Sequence, residues 1–463
     1  MTLKLHSRTP SLLQGSTSRL RTRRFNCGIR VEPKPSTGIC YTRFSFVLAL
    51  LGAVVLLTCS SEAAEYRYPY QDPYLATATS AILSYDGATV PVDSRILHVP
   101  GLPGRSRLPS LEGRGDVSLA LYRQNHPAPL LFILAGLGSN PYFGVGPYLA
   151  SLFYRAGSHV VILPSPMSWN FALSASRSGA PGFVPQDARD LYEVMQKTLT
   201  TLRDRYDIKP TAIHFLGVSL GALEGAYLSV IDADEGKIGI AKYLLINPPV
   251  DLDYAVEKID EWSRLGRKFG PEKSRQLVSE ALAIVDSFSD ERRDDAPVFD
   301  RLVRRFAGFT TEELQFLIAQ NLQSQLQELV YATQAIHDQK VLTVPKDNAR
   351  DRLAEAQKFT LSDYHEKIGV PLWRKQAGNP RADPETFLQR SSLARIMDRV
   401  RGNRKVYVVH NADDFLAERR SIEALKDALG DQMTLYPYGG HLGNLWYDEN
   451  KQFALKFFHA ILE

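Results

Sequence analysis

Apolar and polar positions along this chain follow two periods. Short, β-branched runs of four to eight largely apolar residues occur at about 95–99, 117–123, 130–135, 159–164, 212–218, 242–247, 405–410 and 433–437, and each reads as a strand. Between many of them the period changes to that of an amphipathic helix, at 145–156 with Pro147 near its start, 186–206, 220–232, 418–429 and 448–462. No helix separates the first three strands, which predicts antiparallel pairing at one edge of a sheet. After them strand and helix alternate, and several strands are apolar almost throughout, as parallel strands covered on both faces must be.

The alternation breaks once, between about Asp251 and Arg401, where the pattern is helical. Helices are expected at 254–265, at 271–288 entered through Gly270-Pro271, and at 311–336. The last opens with a capping box, Thr310 and Glu313, and carries an apolar stripe from Leu314 to Val330 that suits packing against the main domain better than a cofactor groove. Before the first strand, about Glu65 to Asp93 is rich in Tyr, Pro and small residues and reads as extended chain. The expected organisation is a leader over 1–64, a core in two parts over 65–250 and 402–463, and a helical insertion over 251–401. The length of 463 residues fits such a core with an insertion. No internal repeat or low-complexity tract is present.

The formal charge of +4 changes meaning once it is located. Residues 1–58 hold nine Lys and Arg against one acid, Glu32, a surplus of eight that leaves the rest of the chain at −4. The basic balance belongs to the leader, and nothing in it calls for a nucleic-acid partner. Phe44 to Leu57 is a fourteen-residue uncharged stretch behind Arg43, the layout of a secretory signal and short for a bilayer span. Residues 56–64 are compatible with two processing sites. Ser61 and Ala63 are the small residues of an ordinary signal-peptidase site, whereas Leu56-Leu57-Thr58-Cys59 resembles a bacterial lipobox, with Thr58 where Gly, Ala or Ser is usual, in which case Cys59 is lipidated and anchors the protein to a membrane. The expectation is an exported protein, periplasmic or lipid-anchored. All three cysteines (Cys27, Cys40, Cys59) lie in or at the end of the leader, so the mature chain is expected to have no internal disulfide, cysteine-based zinc site or thiol nucleophile.

Candidate chemistry centres on Gly217-Val218-Ser219-Leu220-Gly221. The pentad alone is weak, but the strand Ala212–Leu216 precedes it and a helix start, Ala222–Leu228, comes after it. A serine on so tight a strand-to-helix turn stands exposed at the carboxyl edge of the sheet, with a helix N-terminus behind it that favours negative charge. The bland alternative is a serine N-cap. A serine hydroxyl needs a base, and the base an orienting acid. Asn411-Ala412-Asp413-Asp414-Phe415-Leu416 follows one later strand, and Pro437-Tyr438-Gly439-Gly440-His441-Leu442-Gly443 follows the next, on loops that emerge at the same edge as Ser219.

With these residues in that order the chain resembles an α/β-hydrolase, whose triad runs Ser, acid, His. The resemblance covers about Asp116 to Val250 and Val406 to Glu463. It implies an α/β fold with a mostly parallel eight-stranded sheet flanked by helices and a large helical cap inserted after the sixth strand. It assigns Ser219 as nucleophile, His441 as base and Asp414 as acid, with Asp413 and Asp251 as backup acids. It also assigns Leu220 and Leu137 N–H groups to the oxyanion hole; the family commonly has His-Gly where this chain has Ala135-Gly136. Trp169, Phe171 and Phe183 are placed either along the substrate pocket or packed beneath the cap. The expected reaction is hydrolysis of a carboxylic ester or thioester, with an amide as a further substrate type, on a small-molecule or lipid substrate and without metal or organic cofactor. The rival reading is a catalytically silent scaffold that binds or assembles at the envelope.

Overall fold

The computed structural model describes residues 66–84, 94–105, 108–111, 115–288, 291, 295–377 and 383–459. The leader with Cys59 and its two candidate processing sites lies outside the described residues. All eight apolar runs are strands: β1 (Ser94–Val99), β2 (Val117–Tyr122), β3 (Leu130–Leu134), β4 (His159–Leu163), β5 (Ile213–Val218), β6 (Lys242–Ile246), β7 (Val406–Asn411) and β8 (Met433–Tyr436). They form one sheet in the order β1-β2-β4-β3-β5-β6-β7-β8. β1 pairs antiparallel with β2, and β2 antiparallel with β4; every other pairing is parallel. This is the α/β-hydrolase fold. β3 departs from the expectation drawn for the first three strands. It runs parallel between β4 and β5, because its five residues are all buried and such a strand needs partners and cover on both sides.

The helices, in chain order, are α1 (Pro73–Thr79), α2 (Val145–Arg155), α3 (Trp169–Ser174), α4 (Val184–Tyr206), α5 (Leu220–Glu235), α6 (Leu252–Ser263), α7 (Leu265–Asp286), α8 (Ala296–Phe306), α9 (Thr311–Leu322), α10 (Leu326–Ile336), α11 (Ala349–Ala356), α12 (Leu361–Tyr364), α13 (Val370–Ala377), α14 (Pro384–Ser391), α15 (Met397–Arg401), α16 (Arg419–Leu429) and α17 (Asp448–His459). α6 to α15 form the block between β6 and β7. α1 contradicts the extended reading of 65–93. Asp72 caps it by accepting from the Tyr74 and Leu75 N–H groups at 2.9 Å, and Pro73 supplies a preset φ at its first position.

The helix expected over 311–336 is two helices. The capping box at Thr310 and Glu313 is present, but the chain breaks after Leu322, and the break residues bond elsewhere. Gln323 Nε2 donates to Asp260 Oδ1 at 2.8 Å, and Ser324 Oγ donates to the Gly138 carbonyl at 3.1 Å. Asp260, fully buried on α6, also accepts from the Leu361 and Ser362 N–H groups at 3.0 and 2.9 Å, which satisfies the first turn of α12.

Buried histidines make part of this stability depend on pH. His159 opens β4, and its Nδ1 accepts from the Gln124 N–H at 3.0 Å, which fixes a neutral ring with the proton on Nε2. Burial, helped by the His126 and Arg123 charges, lowers its pKa to about 4. An unfolded histidine titrates at about 6.5. Unfolding therefore takes up a proton below that value, and this contribution is lost as pH falls from about 6.5 toward about 4. Denaturant titrations at pH 7, 6 and 5 should show His159→Gln losing up to one proton of the wild-type pH dependence in that window; an unchanged dependence would refute this account.

Candidate active site

Strand register decides which loops meet. Leu134 of β3 pairs with Gly217 of β5, so the loop after β3 emerges beside the loop after β5. Ile246 of β6 pairs with both Val218 and Val409, and Asn411 of β7 pairs with Tyr436 of β8. The carboxyl ends of five adjacent strands thus finish at one level.

Ser219 sits between β5 and α5 at φ 55°, ψ −127°, a conformation that L residues rarely adopt and that costs on the order of 1–3 kcal/mol. Its flanking glycines have a steric reason. A Cβ on Gly217 would stand 2.3 Å from the Gly221 carbonyl oxygen, and one on Gly221 would stand 2.1 Å from the Leu134 carbonyl oxygen. Only this pair lets the turn fold tightly while α5 presses against β3. The Ser219 N–H donates to the Ile246 carbonyl at 2.9 Å, which fastens the turn to β6.

Ser219 Oγ lies 2.8 Å from His441 Nε2, and His441 Nδ1 lies 2.9 Å from Asp414 Oδ2 and 3.1 Å from Oδ1. All three side chains are buried. With the Nδ1–H donating to Asp414, Nε2 is the acceptor for the Ser219 hydroxyl. Burial alone would raise the Asp414 carboxyl, but the His441 charge and hydrogen bond, with His410 and the Leu416 N–H, outweigh it and hold it below the usual carboxylate range. The carboxylate also accepts from the Leu416 N–H at 2.9 Å and from Asn247 Nδ2 at 2.7 Å.

The backup acids are placed elsewhere. Asp251 Oδ2 accepts from Ser421 Oγ at 2.7 Å. Asp413 accepts from the Gly439 and Gly440 N–H groups at 3.1 and 2.9 Å, so it shapes the loop that carries His441. Leu220 opens α5, where helix geometry leaves its N–H without an intrahelical partner. Leu137 follows Gly136, at which a Cβ would stand 2.7 Å from Ser219 Cβ and 3.0 Å from its Oγ. The loop after β3 is held by Ser139 Oγ donating to the Gly136 carbonyl at 2.5 Å and by Ser324 from the helical block.

Several supporting residues escaped the sequence reading. Asn247 and Asn411 follow β6 and end β7; Asn411 Nδ2 donates to the Gly440 carbonyl at 2.8 Å, and Asn444 Nδ2 donates to Asn411 Oδ1 at 2.7 Å. Thr77 of α1 accepts from the His441 N–H at 2.9 Å. The Asp72-Pro73 pair signals the helix that carries Thr77, but nothing local tells that it reaches the histidine loop.

Two cavities meet at Ser219. The larger, about 360 Å³, is mainly apolar and lies between the histidine loop, α1 and the helical block, with Val278, Leu282, Phe306 and Leu317 among its walls. Leu282 and Phe143 stand at 58% and 42% exposure, so its rim presents apolar side chains to solvent. The smaller, about 50 Å³, lies behind Ser219 and Leu220. Trp169, Phe171 and Phe183 line neither cavity: Phe171 is buried in the core, Trp169 packs beside Leu108 and Leu173, and Phe183 lies against Trp373 and Phe387 of the helical block. Among the described residues no group of three or more His, Cys, Asp or Glu side chains is arranged to hold a metal ion.

No protein-family model matches the chain, and no curated protein matches it in sequence. Solved structures similar to it are matched at low identity. An esterase of Pyrococcus furiosus is 10% identical with a TM-score of 0.38, over 80% of this chain and 93% of that one. Brefeldin A esterase, described as a bacterial homologue of human hormone sensitive lipase, is 13% identical with a TM-score of 0.40, over 85% and 87%. A bacterial membrane phospholipase A is 12% identical with a TM-score of 0.40, over 84% and 90%.

If Asp413 shapes the histidine loop, Asp413→Ala leaves two loop N–H groups without their acceptor and should lower stability by about 1–3 kcal/mol. Urea unfolding of the variant checks this, and a loss below about 0.5 kcal/mol would mean that the loop holds its shape without the carboxylate.

Proposed function

We propose that this protein is a serine hydrolase that cleaves a carboxylic ester or thioester through an acyl-enzyme on Ser219. The observation that carries the reading is the continuous chain of short contacts from Ser219 Oγ to His441 Nε2 and from His441 Nδ1 to Asp414, on three separate loops at one sheet edge. No single structural role requires that convergence, and a nucleophile, a base and an orienting acid do.

In this reading Ser219 Oγ attacks the substrate carbonyl while its proton passes to His441 Nε2. The tetrahedral intermediate places its oxyanion against the Leu220 and Leu137 N–H groups, which are fixed before the charge develops. His441 then gives the proton to the departing alcohol or thiol, and the acyl group stays on Ser219. Water, deprotonated by His441, releases the acid and restores the serine. Asp414 is a carboxylate throughout and stabilises the charged imidazole.

The large apolar cavity supports an aliphatic or lipid-like group on the substrate, and its exposed Leu282 and Phe143 rim suits a substrate delivered from an apolar phase. The leader-like segment at 44–57 puts this activity outside the cytoplasm in the same reading.

A fluorophosphonate probe should label the wild-type protein and leave Ser219→Ala unlabelled. Folded wild-type protein that stays unlabelled would turn the reading toward the silent scaffold. Asp414→Asn should keep the fold and reduce ester turnover by about 10³–10⁴-fold, since the imidazole loses its tautomer and its counter-charge. Gly136→Ala should cut the labelling rate of the folded protein at least about tenfold and lower stability as well, because its methyl group would stand 2.7 Å from Ser219 Cβ and one of the two must shift; a labelling rate within twofold of wild type would place the β3 loop farther from the reaction. In a panel of alkyl acetates, kcat/KM should rise from the ethyl to the octyl ester, and a fall would argue against the large apolar cavity as the substrate site.

A further inference from the structure

The cavity behind the nucleophile holds polar groups that the acyl-transfer reading does not use. Its walls are otherwise apolar, with Met167, Val184, Leu252 and Val256 among them, yet three ionisable side chains enter it: Asp187, Glu224 and His365. Asp187 and Glu224 are almost wholly shielded from solvent, and so is His365. Each leaves a buried polar atom with no hydrogen-bond partner: Asp187 Oδ1, Glu224 Oε2 and His365 Nδ1. Buried polar atoms normally find partners, so three orphans around one cavity call for a ligand.

Their placement is specific. Glu224 lies four residues after Leu220 on α5, so it stands on the same helix face just over one turn, about 6 Å along the axis, behind the candidate oxyanion donor. Asp187 is held by the Gly182 N–H, which donates to its Oδ2 at 2.5 Å and leaves Oδ1 for the cavity. His365 begins the π-helical turn His365–Gly369, a rare irregularity that recurs at functional sites. Its ring abuts Gly182, where a Cβ would stand 3.3 Å from His365 Nε2.

Charge narrows the ligand. Among the described residues no Lys or Arg lines the cavity. Arg177, the cation beside this acidic cluster, is committed to Asp190 at 2.7 Å and to Glu193. Burial pushes both the Asp187 and Glu224 carboxyls well up, and each is raised further by its acidic neighbours. Burial also holds His365 neutral, with a pKa lowered to about 4. Without a cation the two carboxyls are thus held neutral, and a cation entering this apolar-walled pocket, which has no basic group of its own among the described residues, would favour their charged, accepting form.

We propose that this cavity is a subsite for a primary ammonium group on the substrate, whose three N–H donors match Asp187 Oδ1, Glu224 Oε2 and His365 Nδ1. The ammonium lies at the end of a short aliphatic chain that starts at the carbonyl beside Ser219. This inference rests on the hydrolase reading for its meaning, since the chain must belong to the acyl group, but the binding itself does not require turnover.

The test uses the full-length Ser219→Ala protein, in which esters stay intact, and calorimetric titration with methyl 6-aminohexanoate, methyl 6-hydroxyhexanoate and methyl hexanoate. The amino ester should bind at least tenfold more tightly than the other two, and Glu224→Gln or Asp187→Asn in the same background should remove most of that preference. Equal binding of the three esters, or a preference for the hydroxyl or alkyl ester, overturns the proposal even if neither carboxamide variant folds. So does an amine preference that survives in both variants. Because fluorophosphonate labelling of the wild type is read separately, failure of the hydrolase reading and failure of the ammonium subsite give different results.

Discussion

The contact between α5 and β3 sets the geometry on which everything else at this site depends. Gly221 approaches the Leu134 carbonyl so closely that a Cβ would stand 2.1 Å from its oxygen, and Gly217 is equally confined by the returning helix. That approach leaves Ser219 at positive φ, on a turn that strand pairing alone would not produce. The strain is held by a turn fastened on several sides: the Ser219 N–H bonds β6, its carbonyl accepts from the Ala222 and Leu223 N–H groups, and β5 is paired on both edges. A strained residue persists only where its surroundings over-determine it. The same approach brings the β3 loop against the serine, so the groups proposed for nucleophile and oxyanion support are set by one packing event.

The acid and histidine loops are held differently, by buried polar groups. Asp414 and Asp413 are adjacent in the chain and do different work because their surroundings differ. Burial pushes both carboxyls up, but Asp414 faces His441, whose charge and hydrogen bond together with His410 and the Leu416 N–H hold it below the usual range, whereas the two backbone N–H groups that Asp413 faces do not offset its burial. Asn247, Asn411 and Asn444 complete the network, which ties the ends of β6, β7 and the histidine loop together. In a low-dielectric site such a network fixes orientation because each unsatisfied member would be costly. α1 closes it from outside: a Cβ on Gly440 would stand 2.2 Å from the Pro73 carbonyl oxygen, so helix and loop fit only with glycine there.

The helical block links the two cavities at Ser219 to this core. Its break at Gln323–Gln325 lets Ser324 bond the β3 loop and Gln323 bond Asp260, which in turn caps α12 and sets up the π turn that carries His365. A continuous helix over 311–336 would have satisfied its backbone more simply and left those contacts unmade. The block therefore does more than cover Ser219, since it supplies side chains to both cavities.

The chain by itself determined the eight strands, because each is a short, largely apolar run and several are buried on two faces, and it determined the Ser219 turn, because Gly-x-Ser-x-Gly between strand and helix is a local pattern. The order of Asp414 and His441 after successive strands was equally legible. Tertiary structure alone decided the position of β3, since pairing depends on which edges remain free once the other strands associate. It set the different partners that Asp414, Asp413 and Asp251 meet, which are His441, two backbone N–H groups and Ser421. It also revealed α1 against the histidine loop, the break in the long helix, and the unpartnered Asp187, Glu224 and His365. Those three are separated by as many as 178 positions in the chain, and an orphaned polar atom is a property of a packed interior that no linear pattern records.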